Sequence, residues 1–238
     1  MMSVPVSPPS LSAEATAIVQ QTLTELRKHF DVVSSELPLG GRLVTIHHPR
    51  NADELIDEDE FAVDERLPYW ADIWPSARVL AERVAAMPVD ERRFLELGCG
   101  AGLVSVAAAM AGFDVTATDY YEEALRFTAL NVLVNTGVLI ETREADWRRF
   151  PHDIGRFELV VASDVLYERE HAALIASVLD RTLSGRGSAL VADPGRLAAP
   201  DFVEQCKERS MPTAILDRVP YEDGPIRQTI DLYQVRRR

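Results

Sequence analysis

Two patterns of hydrophobic positions alternate along most of this chain. Stretches with apolar residues every three or four positions, which predict helices, alternate with short continuous apolar runs, which predict buried strands. This alternation is typical of a mostly parallel sheet that helices cover on both faces. The pattern predicts helices at 76–87, 103–111, 122–134, 171–183 and 200–209, and strands at 94–97, 115–118, 139–142, 159–162 and 189–192.

Two more apolar runs near the end of the chain follow each other without a helix between them. They cover residues 213–216 and 229–235, and we expect them to form an antiparallel pair. With the five earlier runs they make seven strands. The predicted fold class is therefore α/β, a doubly wound, mostly parallel seven-stranded sheet.

The first 49 residues show a different pattern. Ser10 or Ser12 can cap a helix whose apolar residues recur at helical spacing. Residues 32–33 and 43–46 are typical of short strands around the turn dipeptide Gly40-Gly41. We therefore expect a small N-terminal appendage over residues 1–49 and a main domain over residues 50–238.

A strongly acidic stretch joins these two parts. One interpretation is a solvated loop or helix face, and the other is an acidic rim that attracts a basic substrate. Its acidic residues are Asp53, Glu54, Asp57, Glu58, Asp59, Glu60, Asp64 and Glu65.

Composition narrows the range of partners and compartments. The 238 residues carry 38 acidic and 25 basic side chains, a net charge of −13, so we expect no nucleic-acid partner. Two cysteines cannot build a disulfide framework or a structural zinc site. The first basic residue is Arg27, and no apolar run approaches the ~18 residues of a membrane helix. These features favour a cytoplasmic protein without a membrane partner.

A glycine loop lies between the strand predicted at 94–97 and the helix that follows. Its glycines, Gly98, Gly100 and Gly102, lie at the carboxyl end of a parallel strand, where ligands bind and where glycine lets them approach the backbone. Asp119 ends the next strand, 19 residues after Gly100. A carboxylate at that position can accept both hydroxyls of a ribose.

The spacing of the loop discriminates between cofactors. Dinucleotide sites use G-x-G-x-x-G, whereas Leu103 stands here where the third glycine would fall, so a dehydrogenase is a weak alternative. Glu96, just before the loop, disfavours a phosphate but suits an ammonium group. S-adenosylmethionine has a ribose and an amino-acid tail and carries no phosphate, so it is the predicted cofactor.

Several motifs carry a resemblance to a known family. Residues 96–102 resemble the first motif of the seven-strand S-adenosylmethionine-dependent methyltransferases. Residues 70–77, 118–120, 146–147 and 163–167 resemble the nicotinamide-N-methyltransferase-like group, which includes many protein-lysine methyltransferases. The resemblance extends over roughly residues 65 to 196, and it implies a Rossmann-like methyltransferase fold.

The resemblance also implies which residues hold the cofactor. The loop backbone would line its methionine part, Asp119 its ribose, and Asp146 with Trp147 its adenine. Trp74 would close over it, and the tryptophans could alternatively be core residues. The complete predicted cofactor-binding set, including Glu96, is Trp74, Glu96, Gly98, Cys99, Gly100, Gly102, Asp119, Asp146, Trp147 and Ser163.

Asp164 and Tyr167 are the predicted catalytic residues, because they follow the fourth strand of the main sheet, where this fold meets the methyl acceptor. Methyl transfer is an in-line displacement that depends chiefly on alignment. We expect Asp164 to position the incoming nitrogen and Tyr167 to add a hydroxyl and a ring wall. The alternative is an aspartate that ends a strand and a tyrosine that packs.

The predicted function is S-adenosylmethionine-dependent N-methylation, with a protein lysine side chain as the first candidate acceptor. A small amine or a heteroaromatic nitrogen is an alternative acceptor, and a non-catalytic cofactor-binding subunit is an alternative class. We expect no metal site, because His47 and His48 are neighbours on a strand and point to opposite faces.

Overall fold

The computed structural model describes residues 10–52, 68–88 and 92–237. The acidic stretch at 53–65 lies outside the described residues, so both of its interpretations stay predictions. The described elements are α1 (Ala13–Leu26), β1 (Val32–Leu39), β2 (Arg42–Pro49), α2 (Pro75–Ala85), β3 (Arg93–Leu97), α3 (Leu103–Met110), β4 (Asp114–Asp119), α4 (Glu122–Thr136), β5 (Glu141–Glu144), β6 (Phe157–Ser163), α5 (Arg169–Thr182), β7 (Leu183–Asp193), α6 (Ala199–Glu208), β8 (Thr213–Asp223) and β9 (Ile226–Arg236), with short 3-10 turns at Tyr69–Ala71 and Trp147–Arg149.

Seven strands form the main sheet in the order β5-β4-β3-β6-β7-β9-β8. The strands from β5 to β7 are parallel, whereas β9 runs antiparallel to both of its neighbours. The predicted α/β sheet and its final antiparallel pair are therefore confirmed.

Helices cover both faces of this sheet, as expected for strands that are apolar on both sides. The side chains of α5 and α6 pack into one buried cluster, and those of α2 and α3 pack into another on the opposite face. This is the doubly wound arrangement. Among the described residues, no helix combines the length and the apolar character that crossing a membrane requires.

The strand predicted at 139–142 lies two residues further along, at Glu141–Glu144. Gly137 ends α4 in the left-handed conformation, with φ at 72°, and the apolar residues that follow belong to the connection. Leu139 is 66% exposed there. Because β5 is an edge strand, its position does not require apolar side chains.

The N-terminal segment has the predicted helix and hairpin. Ser12 caps α1 by accepting a hydrogen bond from the Ala15 N–H at 3.1 Å. Strands β1 and β2 pair antiparallel around Gly40 and Gly41, both at positive φ, which glycine adopts without strain. The division into an appendage at 1–49 and a domain at 50–238 stays a prediction.

Two asparagines of α4 attach this hairpin to the main domain. The amide of Asn135 exchanges two hydrogen bonds with the backbone of Thr45, at 2.9 and 2.8 Å. The amide of Asn131 does the same with His47, at 2.7 and 2.8 Å. Four helical residues rise about 6 Å and two strand residues about 6.7 Å, so the two pairs match in register.

Candidate active site

A cavity of about 490 Å³ opens at the carboxyl ends of the parallel strands. It lies where the connections from β3 and β6 diverge to opposite sides, which is the usual ligand site of such sheets. Eleven of the twelve predicted site residues line it: Trp74, Gly98, Cys99, Gly100, Gly102, Asp119, Asp146, Trp147, Ser163, Asp164 and Tyr167.

The glycine loop forms the floor of this cavity. Gly98, Gly100 and Gly102 have φ of 68°, 53° and 81°. A Cβ on Gly98 would lie 3.3 Å from the Trp147 ring, and a Cβ on Gly102 would lie 2.7 Å from Thr128. Glycine is therefore required here both by backbone conformation and by close packing.

Asp119 ends β4 beside this loop and is only 6% exposed. One carboxylate oxygen accepts from the Gly100 N–H at 2.9 Å, and the other accepts from the Tyr121 N–H at 3.1 Å. Burial raises the pKa of Asp119 to about 6. Each carboxylate oxygen has two lone-pair sites, so Asp119 can still accept hydroxyl groups from a ligand.

Glu96 is the predicted site residue that lies outside the cavity wall. It is 1% exposed and accepts a hydrogen bond from the Ser105 hydroxyl at 2.5 Å. Burial raises its pKa to about 8, so at neutral pH it is protonated and uncharged. Alternate side chains of a strand point to opposite faces, and this one points towards α3, where it meets Ser105. Its contact with a ligand's ammonium group stays a prediction.

Cys99 has a buried thiol that packs with Ala117 and Leu125. Its sulfur accepts a hydrogen bond from the Thr128 hydroxyl at 3.2 Å. Burial raises the pKa of the thiol well above its ordinary value. The side chain therefore stays protonated and is a poor nucleophile, as expected for a loop position that offers its backbone.

The wall after β5 contains Asp146 and Trp147. Asp146 caps the short 3-10 turn, where its carboxylate accepts from the Arg148 N–H at 2.9 Å. The half-buried Trp147 packs edge-on against His171, with ring centres 5.0 Å apart. His171 lines the cavity too, but no sequence motif indicated it, because it belongs to the start of an ordinary amphipathic helix.

His171 donates from Nδ1 to the carbonyl oxygen of Val165 at 3.0 Å. Burial lowers the pKa of its imidazole, so the ring is neutral at pH 7. Its ring also meets Tyr167 edge-on, with centres 4.5 Å apart. His171 thus connects the Trp147 wall with the Tyr167 wall.

Asp164 lies at the end of β6 and is 8% exposed. Its backbone has φ of 58°, in the left-handed region that few residues other than glycine adopt. Its carboxylate accepts from Arg196 Nε at 2.8 Å and from the Ser76 hydroxyl at 3.3 Å. Strained backbone of this kind clusters at functional sites.

Sequence reasoning missed both of these partners of Asp164. Ser76 belongs to the Trp-Pro-Ser motif, which was a usable signal. Arg196 follows β7, and its place at the carboxyl end of a parallel strand was the only other indication.

The mouth of the cavity is aromatic. Tyr69 lies edge-on to Trp74 and to Tyr167, with ring centres 5.9 and 5.7 Å apart. The Trp74 indole N–H donates to the carbonyl oxygen of Tyr69 at 2.8 Å. Tyr69 and Tyr167 are 41% and 43% exposed, so both rings are accessible from outside the cavity.

Residues 68–208 match the profile of a protein family described as lysine methyltransferase. This chain belongs to the lysine methyltransferase family. The matched residues begin at the aromatic mouth and continue through α6, so they include every part of the cavity described above.

Three curated proteins show how far the likeness to this lysine methyltransferase family extends. The chain is 32% identical over 133 residues to the electron transfer flavoprotein beta subunit lysine methyltransferase of Xenopus laevis, covering 54% of this chain and 53% of that protein. It is 32% identical over 131 residues to protein N-lysine methyltransferase METTL21A of Danio rerio, covering 51% and 59%. It is 27% identical over 216 residues to protein N-terminal and lysine N-methyltransferase EFM7 of Cryptococcus neoformans, covering 81% and 70%. The chain thus spans only a little over half the length of the frog and fish relatives.

Solved structures resemble this lysine methyltransferase family member in fold. The N-methyltransferase NodS of Bradyrhizobium japonicum, in complex with S-adenosyl-L-homocysteine, superposes with a TM-score of 0.56 at 17% identity, covering 78% of this chain and 95% of NodS. Magnesium protoporphyrin IX methyltransferase of Synechocystis, with bound S-adenosylmethionine, gives 0.53 at 19% identity, covering 78% and 94%. These similarities show that the sheet and helix layers have the Rossmann-like methyltransferase arrangement.

Proposed function

We propose that this protein is an S-adenosylmethionine-dependent N-methyltransferase that acts on a lysine side chain of another protein. The observation that carries this proposal is the pairing of two different walls in one cavity. One wall holds the glycine loop and Asp119, and the other holds Asp164 beneath an aromatic mouth. Membership of the lysine methyltransferase family and the names of the curated relatives support the same acceptor.

The first wall fits S-adenosylmethionine. The backbone of Gly98, Cys99 and Gly100 would line its methionine part, and Ser163 would add a backbone contact. Asp119, held by two backbone N–H groups, would accept its ribose hydroxyls. Asp146 and Trp147 would flank its adenine, and Trp74 would cover it. When bound, this cofactor supplies a methyl group on a positively charged sulfur.

The second wall fits the acceptor. A lysine side chain that enters between Tyr69 and Tyr167 would bring its nitrogen towards Asp164. The rings would pack along its aliphatic stem, and ordered alignment of nitrogen and methyl group would supply most of the catalysis. The amine must arrive without its proton, because only the neutral form has a free lone pair.

Charge supports a protein acceptor rather than a nucleic acid. A net charge of −13 repels phosphate backbones and attracts basic protein surfaces. The eight acidic residues between positions 53 and 65 would help to recruit such a basic surface.

The deciding test measures transfer of label from S-adenosylmethionine to components of a cell extract. The purified protein is incubated with the labelled cofactor and an extract of the source cells. Label in a discrete, protease-sensitive band that disappears with the Asp164→Asn variant supports the proposal. Purified electron transfer flavoprotein beta subunit is the first defined acceptor to add, since the frog relative is named for it.

Two other outcomes would contradict lysine methylation. Label confined to the small-molecule fraction would indicate a small amine or a heteroaromatic nitrogen as acceptor. Cofactor binding without transfer to any fraction of the extract, or to added defined protein acceptors, would favour a non-catalytic subunit. Asp153→Asn is the matched control for the Asp164→Asn variant, because the Asp153 side chain is 76% exposed and lies outside the cavity wall.

A further inference from the structure

Arg196 is built into the acceptor wall of the cavity. Its Nε donates to the Asp164 carboxylate at 2.8 Å, and its guanidinium lies 5.7 Å from the centre of the Trp74 ring. Its own backbone N–H is held by the Asp193 carboxylate at 2.7 Å, in a turn that also binds the Gly195 N–H at 2.8 Å. The turn therefore fixes the backbone of Arg196, from which its side chain reaches Asp164.

A buried carboxylate by itself creates a difficulty for amine methylation. An opposite charge within about 4–6 Å favours the charged form of a titrating group, so a bare Asp164 would hold an incoming lysine as its ammonium form. The ammonium form has no lone pair for attack. The carboxylate that positions the nitrogen would thus also oppose its deprotonation.

We propose that Arg196 is a positioning residue that holds Asp164 in place and offsets its charge, so that the acceptor amine can bind in its neutral form. This inference rests on the proposed function. In the described part of the chain, Arg196 is the cation that contacts Asp164. Ser76, the other partner of Asp164, is uncharged and buried at the start of α2.

Other titratable groups around Asp164 leave this assignment in place. Asp193 lies behind Arg196 and adds negative charge on the same side. From the start of α5, Glu168 adds another carboxylate, while burial keeps His171 neutral at pH 7. Further away, the cavity wall contains Asp72, Asp119, Asp146 and Arg148, of which Arg148 is ion-paired with Glu170. Removing Arg196 would therefore leave this side of the cavity negatively charged.

The first test measures binding of n-butylammonium, a mimic of the lysine terminus, and does not depend on methyl transfer. At pH 7, Arg196→Gln keeps a hydrogen-bond donor but removes the charge, so we expect it to bind n-butylammonium about tenfold more tightly than the wild type. The gain should disappear in the double variant Arg196→Gln with Asp164→Asn. Arg196→Lys, which keeps the cation, should bind as the wild type does.

Equal affinity of wild type and Arg196→Gln would overturn the inference. Arg143→Gln is the matched control, because Arg143 is a partly exposed arginine outside the cavity wall. It pairs with the Asp153 carboxylate at 3.0 Å. Thermal melting of each variant checks that it is folded. If Arg196→Gln does not fold, Arg196→Met, which also removes the charge, takes its place in the same comparison with Arg196→Lys.

The second test uses the pH dependence of kcat for a protein acceptor that the enzyme methylates, since kcat reports the groups that titrate in the enzyme–acceptor complex. We expect the acidic limb of the Arg196→Gln curve to move up by about one pH unit, because the acceptor amine is held more strongly as ammonium. Arg196→Lys should restore the wild-type midpoint. A residue that only supports the turn would instead lower the rate equally at every pH, and that result would contradict the inference. Absence of methyl transfer by the wild type would count against the proposed function, whereas n-butylammonium binding would still decide the role of Arg196.

Discussion

Asp119 and Asp164 occupy similar places in the two halves of the cavity but are held in different ways. Both follow parallel strands, and their exposed fractions are 6% and 8%. Asp119 receives its hydrogen bonds from backbone N–H groups of the loops beside it. Asp164 receives its own from the side chains of Ser76 and Arg196, which belong to distant parts of the chain.

The difference indicates what each carboxylate can bind. Backbone N–H groups carry no net charge, so burial dominates at Asp119 and raises its pKa to about 6. A carboxylate of this kind suits neutral hydroxyl groups at fixed positions. The guanidinium of Arg196 carries a full positive charge, which offsets the negative charge of Asp164. We therefore expect Asp164 to suit an amine that must lose its proton.

The largest expected effect is a loss of turnover when the carboxylate of Asp164 is replaced by an amide. Asp164→Asn should lower kcat by about a hundredfold, because a slightly misplaced nucleophile loses much of the benefit of alignment. Affinity for S-adenosylhomocysteine, measured by calorimetry, should change less than twofold. A parallel loss of cofactor affinity would place Asp164 on the cofactor side instead.

Removing the carboxylate of Asp119 should instead change mainly the affinity for the cofactor. Asp119→Ala should weaken binding of S-adenosylhomocysteine by about 1–3 kcal/mol, since ribose hydroxyls and the Gly100 N–H lose their partner. Calorimetry with Asp153→Ala as the surface control measures this effect. Unchanged affinity would remove Asp119 from the binding site.

The smallest effect is the pH dependence of cofactor binding. The pKa of Asp119 is raised to about 6, so its carboxylate is ionised above that pH and takes up a proton below it. A protonated carboxyl accepts hydroxyls less well, so affinity for S-adenosylhomocysteine should level off about one pH unit above the pKa of Asp119 and fall by up to about tenfold per pH unit below that pKa.

Asp119→Asn cannot ionise, so its affinity should lack this acidic limb. Titration calorimetry between pH 5 and 8 compares the two proteins. A flat curve for the wild type would show that protonation of Asp119 does not control binding.

The features that could be predicted from the sequence are those whose pattern lies within one short stretch of the chain. The alternation of strands and helices, the glycine loop and Asp119 all lie within short stretches whose pattern is set by neighbours in the chain. Arg196 is 32 residues from Asp164, and their contact depends on β6 pairing with β7. No spacing rule within one stretch could indicate it.

Glu96 shows the other kind of limit. Its place next to the glycine loop predicted a ligand contact, but the direction of its side chain is decided by the strand. On β3 it points towards α3 and meets Ser105, where burial raises its pKa and removes its charge. Proximity in sequence therefore could not show which way its side chain points, and its contact with a cofactor stays a prediction.

The two asparagines of α4 have a consequence for the behaviour of the protein at high concentration. The outer edge of a β-hairpin offers unpaired N–H and C=O groups to which another chain can add a strand. Asn131 and Asn135 occupy those groups at His47 and Thr45. The helix thus covers the outer edge of β2 at these two residues, and substituting both asparagines by leucine would leave these backbone groups open to strand addition by another chain.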